Sequence, residues 1–263
     1  MSPHPPNRLS TRLASYLVRN PLIYLYTAVL GTLSLISSLF DRSGRTQHGF
    51  ARLWSRLILR TVSSPLTVQG LERIDLTQPA IYTANHSSAL DIPVLYAGLP
   101  FQFRILAKIE LFRLPFLGWH LKRSGQIPID RADARASLRS LSAASRTVKA
   151  GMPLVVFPEG GRSSDGHIQT FLGGTFYIAI KAQLPVVPMA IVGTFQALPM
   201  NTFVIHPHRF RLIVGDPIPT TGLVSRDMDA LCARVHQAMS DLFDANSGLS
   251  APVPDVQPEN TTI

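Results

Sequence analysis

The stretch AIYTANHSSALDIPVLYAGL, Ala80 to Leu99, joins two apolar runs through a polar turn. The first, AIYTA, is short and rich in strand-forming residues. The second, SALDIPVLYAGL, carries apolar residues at helical spacing. A strand that feeds a helix through a short turn is half of a parallel-sheet unit. In open α/β sheets ligands gather at such turns, where strands end and helices begin. This turn holds His86, and Asp91 follows five residues later.

The pattern repeats outward from this point. LTVQG, FRILA, QIPI, LVVF, VVPMAIV and FRLIVG are further short apolar runs between turn signals, and all read as strands. ADARASLRSLSAASRTVKAG and GGTFYIAIKAQ read as helices, as does MDALCARVHQAMSDLF near the C-terminus. The alternation predicts an α/β fold, with a mixed, largely parallel sheet flanked by helices. This reading assigns residues 63–244 to the α/β domain. The polar, proline-rich residues 245–263 read as a disordered tail.

Residues 1–62 differ in kind. Pro21 to Phe40 is twenty residues without a charge, which at about 1.5 Å per residue just matches a hydrocarbon core. No small-x-small cleavage site follows it, which disfavours a secretory signal. GRTQHGFARLWSRLILR then alternates arginines with Phe50, Leu53, Trp54, Leu57 and Ile58. A basic amphipathic helix with a tryptophan suits a membrane interface. Together the segments predict an N-terminal membrane-associated helical hairpin that dips into one leaflet. The plainer alternative is a core helix followed by a solvated one. Basic residues flank both ends of the apolar run, so they lean only weakly towards a cytoplasmic C-terminal side.

Composition agrees with a basic, membrane-facing protein. The chain of 263 residues is 46% hydrophobic and 16% charged, with a formal net charge of +9. Anionic membranes, phosphorylated substrates and nucleic acid are the partners such a charge attracts. The aromatic stacking ladder of a single-strand nucleic-acid binder is not evident. One cysteine, Cys232, rules out an internal disulfide and a zinc site built on cysteine pairs. Its place in an apolar-periodic run predicts packing against the core.

Spacing alone does not make His86 and Asp91 a pair. His236 and Asp241, in HQAMSD, repeat it. Their segment reads as mid-helix, where residues five apart lie about 140° apart around the axis and do not meet. At a turn the chain can fold the carboxylate back to the imidazole, fix its tautomer and leave the second nitrogen as a base. Ser87 and Ser88 adjoin His86, but the chain has no G-x-S-x-G elbow. A substrate hydroxyl is the better group for His86 to deprotonate.

Three further clusters surround this one in sequence. VVFPEGGRSSDG, Val155 to Gly166, offers Glu159, Gly160 and Arg162 on a glycine-rich loop suited to an oxyanion or phosphate. GQIPIDR, Gly125 to Arg131, is a strand ending on Asp130 and Arg131. PVVPMAI brackets a strand between Pro185 and Pro188.

Taken in order, these blocks resemble the lysophosphatidic acid acyltransferases, the 1-acylglycerol-3-phosphate acyltransferase group of the glycerolipid acyltransferase superfamily. NHSSALD matches the family's Asn-His-x-x-x-x-Asp. GQIPIDR matches its glycine-to-Asp-Arg strand, FPEGGRS its Phe-Pro-Glu-Gly-Thr-Arg-Ser, and VVPMAI its proline-centred strand. The stretch AKIELFRLPFLGWHLKRSGQIPIDR, with Lys108, is also family-like. The resemblance runs from about Pro65 to Pro219.

It implies transfer of a fatty acyl group from an acyl-CoA or acyl carrier protein thioester to a lysophospholipid hydroxyl in phospholipid synthesis, with no metal or other cofactor. His86 would be the base and Asp91 its holder. Arg162, Arg131 and Lys108 would receive the acceptor phosphate. Glu159 would bond the glycerol, and backbone amides near His86 would hold the oxyanion. The implied partners are membrane lipids and the thioester donor, not nucleic acid, and the implied site of action is the cytoplasmic face of the inner membrane.

Two departures stand out. Gly161 replaces a threonine, which weakens the case for an identical acceptor contact. Pro128 removes a strand N–H, which predicts an edge or bulged strand. Another lysolipid, such as a lyso-ornithine lipid or a lysophosphatidylcholine-type acceptor, is the rival substrate. A non-catalytic basic membrane-binding protein is the rival of a different class.

Overall fold

A computed structural model describes residues 8–248. Most of the predicted tail, residues 245–263, lies outside them, but its first three residues, 245–247, continue the last helix rather than a tail. Seven strands form one sheet: β1 (Leu66–Gln69), β2 (Ile81–Ala84), β3 (Arg104–Lys108), β4 (Ile127–Ile129), β5 (Leu154–Val156), β6 (Val186–Val192) and β7 (Phe210–Val214). Their spatial order is β1-β7-β6-β2-β5-β3-β4. Every pairing is parallel except β6 with β7. The sheet is mixed and mostly parallel, and each of the seven runs read from the sequence supplies one strand. Strand β4, which contains Pro128, lies at an edge and pairs only with β3 among the described residues. An edge has no partner to miss the absent N–H.

The helices are α1 (Leu9–Ala14), α2 (Asn20–Ser37), α3 (Arg45–Thr61), α4 (Asp91–Gly98), α5 (Leu117–Arg123), α6 (Ala134–Lys149), α7 (Gly174–Ala182), α8 (Thr194–Ala197) and α9 (Met228–Ser247). Successive strand residues point to opposite faces, and two cores follow. Tyr82, Val155, Val187 and Met189 pack with Ile58, Leu59 and Val62 of the α3 end and with Val94 and Leu95 of α4. Ile81, Leu154, Val156 and Val186 pack on the other face with Leu141 and Val148 of α6, Phe176 of α7 and Leu231 and Val235 of α9. Cys232 packs against this second core. The central strands are buried on both faces, as parallel strands under helices must be.

At the N-terminus, α1 and α2 join through a π-helical turn, Ser15–Arg19. Pro21 follows after Asn20, and its ring cannot sit under an ordinary i−4 carbonyl. One widened turn lets the helix run on. The continuous helix Leu9–Ser37 contains an 18-residue stretch of mean hydropathy 1.3 that is mostly unburied, and is long and apolar enough to cross a membrane. It begins well before Pro21, where the uncharged run starts. Ser15 and Arg19 bond the carbonyl of Ile205 and tie the helix to the loop before β7.

Helix α3 packs between α2 and α4. Arg52, read from the sequence as an interfacial arginine, instead donates to the carbonyls of Tyr96 and Leu99 at the end of α4. A cation there complements the helix dipole and its unpaired carbonyls.

Candidate active site

The site is built on the turn between β2 and α4. Asn85 prolongs the β2–β6 pairing through its side chain: it donates from Nδ2 to the Ile191 carbonyl at 2.9 Å and accepts from the Ile191 amide at 2.7 Å. The turn therefore leaves the sheet from a fixed point. Asp91, the first residue of α4, is fully buried and folds back over that turn. Its Oδ2 accepts from the amides of Ser87 and Ser88 at 2.8 and 2.9 Å and from His86 Nδ1 at 2.8 Å. A carboxylate accepts only, so Nδ1 carries the proton and Nε2 keeps its lone pair. The side chain of His86 is 19% exposed, enough to meet a substrate. Its ring stacks on Phe157 at 4.0 Å and 20°. A bonded edge and a stacked face leave the imidazole little freedom.

The loop after β5 closes over the same turn. Glu159 Oε1 accepts from the His86 amide at 2.7 Å and Oε2 from the Gln169 amide at 2.9 Å. The Ser163 amide donates to the His86 carbonyl at 2.7 Å. Burial pushes the Glu159 carboxyl up to about 7; the two amide bonds pull it down, and Asp91 and Asp165 add to the rise. Arg131, beyond β4, donates to the Gly160 carbonyl. Gly160 has φ +77°, which favours glycine, and a Cβ there would displace the ends of the Arg131 and Leu172 side chains. Gly161 has open space around its missing Cβ.

Hydrogen bonds thus join His86, Asp91 and Glu159, and a separate one ties Arg131 to Gly160, the residue after Glu159. Lys108, which ends β3, and Arg162 are exposed at strand ends of the same sheet and bond to none of these. The guanidinium of Arg162 has no hydrogen bond or ion pair among the described residues. The amides expected to hold an oxyanion need correction. Those of His86, Ser87 and Ser88 are all spent on Glu159 and Asp91. Ser88 is also excluded as a nucleophile, since its buried hydroxyl donates to the Leu198 carbonyl at 2.8 Å. Among the described residues no group of three or more His, Cys, Asp or Glu is placed to hold a metal.

Asn85, Phe157 and Gln169 were not singled out in the sequence. Asn85 had a signal, standing beside His86 at a strand end. Phe157 opens the FPEGGRS block, but its stacking on the distant His86 had no sign in the sequence, and Gln169, which braces Glu159 from ten residues on, had no signal of its own.

An acyltransferase family model matches residues 65–192, which span all four blocks. The chloroplastic 1-acyl-sn-glycerol-3-phosphate acyltransferase of Brassica napus is 33% identical over 222 residues, covering 82% of this chain and 64% of that one. The protein of the same activity name from Limnanthes alba is 30% identical over 217 residues, covering 81% of this chain and 76% of its own length. The chain belongs to the 1-acyl-sn-glycerol-3-phosphate acyltransferase family. A solved member, the 1-acyl-sn-glycerophosphate acyltransferase PlsC from Thermotoga maritima, matches with a TM-score of 0.71 at 25% identity over 89% of this chain and 98% of that one. The chain spans 64% and 57% of the Brassica napus and Arabidopsis thaliana relatives, less than two thirds of either acyltransferase.

Proposed function

We propose that the protein transfers a fatty acyl group from an acyl thioester to the sn-2 hydroxyl of lysophosphatidic acid, making phosphatidic acid for phospholipid synthesis. The observation that carries this reading is the state of His86. One nitrogen is held by a buried carboxylate, and the other is left as an accessible base at a strand end. Nε2 takes the hydroxyl proton as the oxygen attacks the thioester carbonyl. The new C–O bond forms, the C–S bond breaks, and the imidazolium returns the proton to the leaving thiolate. The thioester is already activated, so no enzyme-bound acyl intermediate is needed. Asp91 stabilises the imidazolium while it lasts.

The remaining roles follow from what each group has left to offer. The amides of Gly161 and Arg162 make no hydrogen bond among the described residues, and their loop is tied to His86 on both sides. They are the donors available to a developing oxyanion. Arg162 receives the acceptor phosphate, helped by Lys108 and by the N–H groups Arg131 has not spent. Glu159 serves mainly to order the turn and loop, with any glycerol contact secondary. The N-terminal helices hold the site at the membrane, on its cytoplasmic face. Acyl-CoA and acyl carrier protein both supply the required thioester.

Purified full-length protein in detergent, given both donors and a panel of lysolipids, tests this reading. Lysophosphatidic acid should be acylated well ahead of monoacylglycerol, lyso-ornithine lipid and lysophosphatidylcholine. Arg162→Lys keeps the charge but loses the fork. It should raise the KM for lysophosphatidic acid at a cost of about 1–3 kcal/mol and leave the donor KM nearly unchanged. Preference for an acceptor without the phosphomonoester would refute phosphate recognition, and parallel loss for donor and acceptor would make Arg162 a loop brace.

A further inference from the structure

The segment between β3 and β4 displays apolar side chains that the proposed chemistry does not use. Leu111, Leu114, Phe116, Leu117 and Trp119 are all exposed, Phe116 at 65% and Trp119 at 53%. A patch of this kind on one short segment calls for a covering partner.

Its backbone is built to present them. The Leu117 amide donates to the Pro115 carbonyl at 2.6 Å, closing a three-residue γ-turn with Phe116 at its centre. Phe116 has φ +58° and ψ −59°, a conformation that a residue with a side chain rarely adopts. The turn is locked from beneath. Phe112 is buried, the Gly118 amide donates to the Leu114 carbonyl at 2.8 Å, and a Cβ on Gly118 would strike the Phe112 backbone. Phe116 is thus held outward, against Trp119 at 5.3 Å between ring centroids.

Location and charge select the partner. Helix α5 packs against α2, and His120 Nδ1 lies 3.1 Å from the Ser34 hydroxyl. Burial lowers the His120 pKa there. The patch therefore continues from the exposed apolar helix Leu9–Ser37. Arg113, Lys122 and Arg123 border it, against one acid, Glu110. Aromatic and aliphatic side chains ringed by cations suit the headgroup boundary of an anionic leaflet. The segment also starts directly after Lys108 and ends just before β4, beside the strand ends that carry the site.

We infer that Leu111–Arg123 is a second membrane-docking element, which inserts Phe116 and Trp119 into an anionic leaflet and aims the strand-end site at the lipid. This rests on the membrane reading given above for the N-terminal helices, which without it would provide the sole attachment.

The chain has two tryptophans, Trp54 and Trp119. In full-length Trp54→Phe protein, Trp119 reports alone and the loop stays intact. With vesicles containing phosphatidylglycerol, its emission should shift to the blue and be quenched by lipids brominated near the headgroup. Phe116→Ser/Trp119→Ser should lower partitioning onto the same vesicles about tenfold. Leu138→Ser, an equally exposed position on α6 across the sheet, should bind as wild type. Vesicle-bound protein with an unquenched Trp119, undiminished binding by the double variant, or an equal loss in Leu138→Ser would overturn the inference and leave the N-terminal attachment standing. Failure of the intact protein to bind vesicles would overturn both.

Discussion

Histidine and aspartate stand five residues apart twice in this chain, and the two pairs behave in opposite ways. His86 and Asp91 meet at 2.8 Å because the chain between them is a turn entering a helix. His236 and Asp241 both lie inside α9. There His236 packs edge-on against Phe171 at 4.6 Å, and Asp241 accepts from Gln237 at 2.7 Å. The spacing is the same and the backbone decides. A helix sends such residues to different sides, whereas a strand-end turn brings them together and buries the carboxylate. The first pair also has second supports in Phe157 and Glu159, and no comparable frame surrounds the second.

Removing parts of that frame should separate chemistry from bracing. Asp91→Asn is expected to have the largest effect of the frame variants. The amide can keep one bond to the turn but presents the wrong polarity to Nδ1–H, so kcat should fall about 10²–10⁴-fold with little change in KM. Loss of binding instead of turnover would contradict an orienting role.

Glu159→Gln comes next. Its amide NH2 must face one of two backbone N–H donors, so one brace is lost, and kcat should fall roughly tenfold through a shifted His86. A pH signature accompanies it. The folded pKa of about 7 lies above the ordinary 4.5, so the wild-type fold binds this proton more tightly than the unfolded chain does. That contribution to stability is complete below about 4.5 and is lost as pH rises through about 7. The melting temperature of the wild type, relative to that of Glu159→Gln, should therefore fall between pH 5 and pH 8. A flat difference would mean that the carboxyl is ionised throughout.

Gly161→Thr should be the mildest of the three. Open space meets the new side chain and φ is not positive, so the fold should be unaffected. The added hydroxyl contributes one neutral hydrogen bond at most, about 0.5–1.5 kcal/mol, and should lower the lysophosphatidic acid KM roughly 2–10-fold. A KM that does not move would show that this position never meets the acceptor.

The strands were legible in the sequence because their β-branched, apolar runs are local and each is bounded by turn residues. The catalytic turn was legible for the same reason: Asn85 to Asp91 is short and its position after β2 fixes its geometry. What lay hidden depends on distant partners. The Glu159 carboxylate reads as a substrate ligand until the His86 amide, 73 residues away, is found against it. Arg52 reads as an interfacial cation until α4 lays its last carbonyls beside it. The start of the N-terminal helix was hidden by Pro21 and Arg19, which mark a boundary in sequence; a π turn removes it. The Phe116 turn was missed because its helix is only seven residues long and begins among proline and glycine.

The two histidines provide the most direct test. Purified wild-type, His86→Ala and His236→Ala proteins should be given an acyl thioester and lysophosphatidic acid, with phosphatidic acid and free thiol both measured. The wild type should release one thiol for each phosphatidic acid formed. His86→Ala should be slower by about 10²–10⁴-fold at an unchanged melting temperature, and His236→Ala should match the wild type within about twofold. Similar losses in both variants, or thiol release by the wild type without phosphatidic acid, would contradict the account.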